Sequence, residues 1–349
     1  MKATKKQLAF CEKYNISFDQ FIGKDIIEGE LDMFSVTELI EGFNPTIDGN
    51  LYLDSVKKLV KGFNPTVGGD LSLDSVTTLV KGFNPTVGGS LSLDSVTKLV
   101  EGFNPTVGGS LSLGLVAKLI EGFNPIVGGY LSMDSVAKLV KGFNPTVGGN
   151  LWLDSVVEVI EGFNPTVGGS LYMNSVTEVI EGFNPTVGGC LRMNSVTDKD
   201  SISFTKINRD FIDFKNGFVL CDGIFMEVDS HRGNVWVGHE IGRKEKIFLV
   251  TDGNQKYAHG FTLKEAKEDL IFKVDGRRLD DFKRLTQESV LLMSEAVVAY
   301  RVITGACGFG VKDYIKNRLP KEKKEFSMAE VIELTKDEYG GKSFSAFIG

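Results

Sequence analysis

From residue 27 to residue 196 the apolar and polar positions follow two periods at once. Within the unit that begins at Gly68, Leu71 and Leu73 flank an outward Ser72, the alternation of a short strand with one buried face. Val76, Leu79 and Phe83 supply the next inward positions. Pro65 holds Asn64 extended and fixes its own φ, so the return segment cannot be an α-helix. Gly68 and Gly69 are expected to take positive φ to turn the chain onto the strand. Asp74 is expected to bend it away again by accepting a bond from an amide two residues on. The second period is twenty residues: Gly-Phe-Asn-Pro-Thr begins at Gly42, Gly62, Gly82, Gly102, Gly142, Gly162 and Gly182, and Gly-Phe-Asn-Pro-Ile at Gly122. A fixed period of this size, with no insertion, predicts a solenoid.

One coil cannot fold alone, because the backbone entropy of ordering twenty residues outweighs the burial of its few apolar side chains. Coils must therefore stack. Stacking predicts a continuous column of Phe43, Phe63, Phe83, Phe103, Phe123, Phe143, Phe163 and Phe183, and an Asn column from Asn44 to Asn184 bonded to the backbone of the neighbouring coil. The apolar spacing of "ATKKQLAFCEKYNISFDQFI" predicts a helical cap, so residues 1–26 read as cap and 27–199 as solenoid.

After Lys199 the pattern dissolves. "FIDFKNGFVL" places Asn-Gly between alternating segments, a hairpin signal. Strand-like runs follow at 223–228, 234–241, 246–251 and 256–260. Helical patterns come later, with Thr262/Glu265 and Ser327/Glu330 as capping boxes and further helical spacing over 288–304 and 312–319. Strands first and helices afterwards make residues 200–349 an α+β domain with an antiparallel sheet.

"LSLDSVTKLVEGF" (91–103) resembles the leucine-rich repeats of the bacterial surface-antigen type, which run apolar-x-apolar, Pro or Asp, Ser-Val, then an apolar residue and Phe. The "GFNPTVGG" units, with "SHRGNVW", "YAHGFTLKEAKEDL" and "YRVITGAC" further on, are similar to proteins carried by phages and mobile elements of gut anaerobes. The resemblance implies a leucine-rich-repeat-like β-solenoid with a protein-binding role, directed at a host or defence protein if the gene travels with phages. The "NPT" return side departs from the commoner pattern and implies a straighter stack than the usual horseshoe.

Charge is unevenly distributed. Residues 1–200 hold 15 Lys+Arg against 23 Asp+Glu, and residues 201–349 hold 24 against 23. The acidic repeats argue against nucleic acid, which needs a positive footprint. Cys11, Cys190, Cys221 and Cys307 form no CxxC pair, which points to a reducing compartment and away from zinc. No apolar run reaches the length of a membrane span or a signal-peptide core, so the expected location is the cytoplasm, with no membrane association.

Candidate chemistry is sparse. On the outward strand positions a run of serines gives way to Tyr130, Trp152, Tyr172 and Arg192; exposed aromatics anchor interfaces, although packing against the following domain would account for them equally. The Asp column from Asp54 to Asp154 offers one carboxylate per coil, too few for calcium, and reads as turn capping; no cofactor is implied. In the second domain Cys307, in "TGACGFG", with His259 or His231 as base would make a nucleophile pair for acyl or related group transfer, whereas a Cys that simply packs is the commoner case. The leading expectation is an interaction scaffold, and the alternative is an enzyme that the solenoid targets.

Overall fold

The computed structural model describes the chain except residues 1–2, 198–201, 208–210, 215, 275–278, 307 and 320–322. The chain divides into two compact units: residues 1–227 with 240–244, and residues 228–239 with 245–349.

The first unit is built on the β-solenoid. Each coil contributes two strands of only two residues, far too short to persist singly. Repetition makes them ladders. The Leu-x strands form a nine-stranded parallel sheet and the Thr-Val strands a ten-stranded one, whose last strand is Thr205–Lys206. Register is one coil throughout, Leu111 against Leu91 and Leu131, Thr146 against Thr166. Leu71 N donates to Ser90 O at 2.8 Å, Gly88 N to Val67 O at 2.7 Å and Gly89 N to Gly69 O at 2.8 Å, so every coil is bonded to its neighbours. The "NPT" of the repeat predicts a non-helical return and carries no signal for the Thr-Val ladder.

Inside, the expected columns are present. The eight Phe rings stack nearly parallel from Phe43 to Phe183, with centroids 5.9–6.2 Å apart. Each Asn amide binds the next coil: Asn84 N donates to Asn64 Oδ1 at 2.7 Å, and Asn104 Nδ2 donates to Gly122 O at 2.8 Å.

The cap is helical, as its spacing predicts. Helices α1 (Lys5–Lys13) and α2 (Phe18–Phe21) each open with a capping box, at Thr4/Gln7 and Ser17/Gln20. Phe10 and Phe21 continue the Phe column, their rings 5.2 and 5.4 Å from Phe43. Asn44 N donates to Phe21 O at 2.9 Å, so the cap also supplies the acceptor that an Asn supplies in later coils.

The glycines require a correction. Gly68 and Gly69 do not have positive φ; the left-handed residue is the one before Phe, as at Gly82 with φ +82. The double glycines are needed instead because the coils approach too closely for a Cβ. One added at Gly108 would run into the carbonyl oxygen of Gly88 and lie 3.3 Å from Cβ of Ile241; one at Gly128 would lie 2.8 Å from Cδ1 of Phe225. The bare column thus also receives side chains from the chain beyond the repeats. Phe225 and Ile241 are buried in one cluster with Phe218, and the partly buried Ile126 packs against it.

A contrast follows from this geometry. Gly108→Ala should lower stability by about 2 kcal/mol or more, as overpacking against backbone does. Gly114→Ala, whose Cβ would meet only Asp94 Oδ1 at 3.9 Å, should be neutral or raise it by about 0.5 kcal/mol. Equal effects in urea melts would show that inter-coil crowding does not explain the double glycines.

Strands β1 (Phe211–Asp213) and β2 (Phe218–Cys221) form the expected hairpin, with Gly217 at φ +92. Strand β3 (Ile224–Arg232) pairs antiparallel with β2 over Ile224–Glu227. In the second unit β4 (Val235–Glu240) pairs with β5 (Lys246–Thr251) and β5 with β6 (Tyr257–Gly260), all antiparallel. Helix α3 (Leu263–Val274) lies on this sheet through Ala266 and Ala258, which are fully buried. Strand β7 (Val290–Leu292), placed by its spacing in a helix, pairs instead with β8 (Glu325–Ser327). Helices α4 (Met293–Thr304), α5 (Gly308–Arg318), α6 (Met328–Thr335) and α7 (Gly341–Ile348) complete the unit. Tyr300, Phe326, Met328 and Phe344 share its second apolar core.

Candidate functional site

Two places collect side chains with something to offer. The first is the outer face of the Leu-x sheet. Its serine stretch is internally satisfied: the hydroxyls of Ser72, Ser92 and Ser112 donate to the carboxylates of Asp54, Asp74 and Asp94 in the preceding coil. Where Gly114 interrupts the carboxylate column, Ser132 turns to Asp134 of its own coil at 2.9 Å. The Asp column therefore knits coils together through the serines, and the expected bond to an amide two residues on is replaced by this one.

Further along the face the serines end. Tyr130 meets Trp152 edge-on at 5.1 Å, Trp152 stacks on Tyr172 at 5.8 Å, and the Arg192 guanidinium lies over Tyr172 at 5.9 Å. The one-coil register brings Trp152, Tyr172 and Arg192 together as successive partners in the ladder, and Tyr130 stands two residues before Ser132, the partner of Trp152 on the other side. Tyr130 is 43% exposed, and Arg192 is exposed as well. A smaller pair, Phe34 stacked on Tyr52 at 5.0 Å, was missed because Phe34 lies outside the repeating strand positions.

The second place lies within the second unit, where a cavity of about 190 Å³ opens among β6, α3, α4 and α5. Strand β6 brings His259, only 2% exposed, paired opposite Leu249. Gly260 lets α3 come close, because a Cβ there would lie 2.8 Å from Ala266 N. Glu265, Glu268 and Asp269 fall on one face of α3 by their spacing of three and four, and all three line the cavity with Phe261. Opposite them stand Arg301 from α4, and Gly308 and Lys312 from α5.

Charge is tightly arranged here. Asp269 is 5% exposed; its Oδ1 accepts from Arg301 Nη2 and from Gly308 N at 2.9 Å. Its Oδ2 is buried and has no hydrogen-bond donor among the described residues. Glu265 closes the capping box with Thr262 and takes a 2.8 Å bond from Lys312 Nζ, which holds its carboxyl below the usual carboxylate range. Two carboxylates of one helix thus hold the first turns of another.

Of the histidines, His259 alone lines this cavity, beside Gly308, the residue that follows Cys307 in the sequence. Cys307 itself lies outside the described residues. His231 stacks on Trp236 at 4.1 Å, and its Nε2 is 2.8 Å from Gly233 O; His239 Nδ1 is 3.6 Å from Asp229. Asp269 and Arg301 were not legible as a pair, being 32 residues apart, although the carboxylate spacing on α3 was a usable signal. Among the described residues no three His, Cys, Asp or Glu side chains are grouped to hold a metal ion, and no helix is long and apolar enough to cross a membrane.

Fold and sites define the class: a repeat protein with a β-solenoid of twenty-residue coils, followed by an antiparallel sheet and helices. No family model, curated protein or solved structure matches the chain.

Proposed function

We propose that this is an interaction protein whose solenoid presents the outer face of the Leu-x sheet to a protein partner. The aromatic cluster supports this reading most directly. Tyr130, Trp152 and Tyr172 with Arg192 follow a self-satisfied stretch of serine and aspartate on this face, and they are residue types that carry interface energy. A backbone ladder spanning the coils holds them in a fixed array, which lowers the entropy cost of binding. The resemblance to proteins of phages and mobile elements suggests a cytoplasmic host or defence protein as the partner.

Affinity capture on the full chain and on Trp152→Ala/Tyr172→Ala tests this. Both side chains point outward, so melting should be little changed while the partner is lost. Equal capture by both proteins would refute the aromatic cluster as the contact. A second reading, favoured by His259 and Gly308 bordering one cavity, has His259 draw off the Cys307 thiol proton for group transfer. Thiol-probe labelling of Cys307 that His259→Ala abolishes would support it, and an inert thiol in the native chain would exclude it.

A further inference from the structure

We propose that the cavity among β6, α3, α4 and α5 is a binding site for a small organic cation, a protonated amine, guanidine or amidine, whose N–H group donates to Asp269. This goes beyond the aromatic face and does not depend on it. The main observation is the unequal treatment of one carboxylate. Asp269 lines the cavity; its Oδ1 has two donors, from Arg301 and the start of α5, whereas its buried Oδ2 has none among the described residues. A buried acceptor left without a donor is costly, and native structures keep few of them. A donor arriving with a ligand removes that cost.

The sign of the ligand follows from the lining. Among the acidic and basic lining residues, Glu265, Glu268 and Asp269 contribute three negative charges and Arg301 and Lys312 two positive ones, an excess of one negative charge. Both cations are already engaged by carboxylates, Arg301 by Asp269 and Lys312 by Glu265. Among the described residues, Glu268 pairs with Lys264 alone, at 3.8 Å and between side chains that are 62% and 84% exposed, which leaves its charge nearly whole. An anion would therefore face repulsion from the unneutralised carboxylate, with both lining cations already paired. A metal ion is disfavoured by the absence of any grouped ligand set among the described residues.

Size and surface narrow the class. About 190 Å³ is below the range of drug-sized pockets yet several times the volume of a water molecule, which suits a ligand of modest size. Phe261 lines the cavity and offers an aromatic surface, on which the body of an amine or amidine can rest with its charge attracted by the ring.

The test uses matched probes on the full chain: benzamidinium against benzoate, which share a ring and differ in charge, and propylammonium as a smaller cation, all by titration calorimetry. At least one cation should bind saturably with Kd of about 1 mM or tighter, and benzoate should not bind. Glu268→Gln, at an exposed position, should weaken the cation several-fold, and Lys312→Ala, which releases the Glu265 carboxylate, should strengthen it. Asp269→Asn should weaken it about tenfold or more, read only if its melting shows a folded chain. Absence of saturable binding by either cation overturns the proposal. So does benzoate binding as well as the cations, or an affinity that neither Glu268→Gln nor Lys312→Ala alters.

Discussion

Phe103→Ala is expected to lower the stability of the solenoid by about 3 to 5 kcal/mol in denaturant melts. The ring is fully buried, with stacked neighbours 5.9 Å away on both sides, Phe83 and Phe123. The hole left by its removal cannot close, because the distance between coils is set by the backbone ladders and not by side-chain packing. Leu93 N to Ser112 O at 3.1 Å and Gly108 N to Val87 O at 2.7 Å fix the coil of Phe103 at its spacing from the coils on either side. The cost should therefore lie near the upper part of the range for such truncations. Phe183, with one stacked Phe neighbour and 4% exposure, should be less sensitive. A loss below about 1 kcal/mol at Phe103 would mean that the Phe column is not what holds the coils.

Arg301→Ala is expected to cost a similar amount, about 3 to 5 kcal/mol, for an electrostatic reason. Asp269 is almost entirely buried, and removing the guanidinium leaves its carboxylate, among the described residues, with the Gly308 amide as donor. The loss reflects an uncompensated buried charge more than the net value of the pair. Asp269→Ala/Arg301→Ala should consequently be less damaging than the sum of the two single variants, a coupling that a double-mutant cycle measures directly. Additive losses would show that the two side chains act separately.

Local and periodic rules made much of this molecule legible. The Asn216-Gly217 hairpin and the capping boxes at Thr262 and Ser327 depend on residues within a few positions of one another, so each could be read from a short window. The Phe and Asn columns were readable for a different reason: in a stack, a residue's neighbour in space is the residue twenty positions away, so sequence period becomes spatial distance. The stacking of Trp152 on Tyr172 on the outer face was visible by the same rule. The β7 strand failed to show because its apolar run passes directly into α4, and only pairing with β8 decides where strand ends and helix begins.

By itself, then, the sequence determined the coil, its twenty-residue register, its interior columns, its helical cap and the antiparallel strands that precede α3 beyond it. The tertiary structure alone decided three things. It made the double glycines a matter of backbone contact between coils in place of left-handed turns, and it turned the Asp column toward the serines of the next coil. It also assembled the cavity from His259, the acidic face of α3, Arg301 and Lys312. The physical reason is common to all three. Steric exclusion, hydrogen-bond choice and charge pairing are settled by distances between segments, and where no period ties those segments together the chain's order carries no record of them.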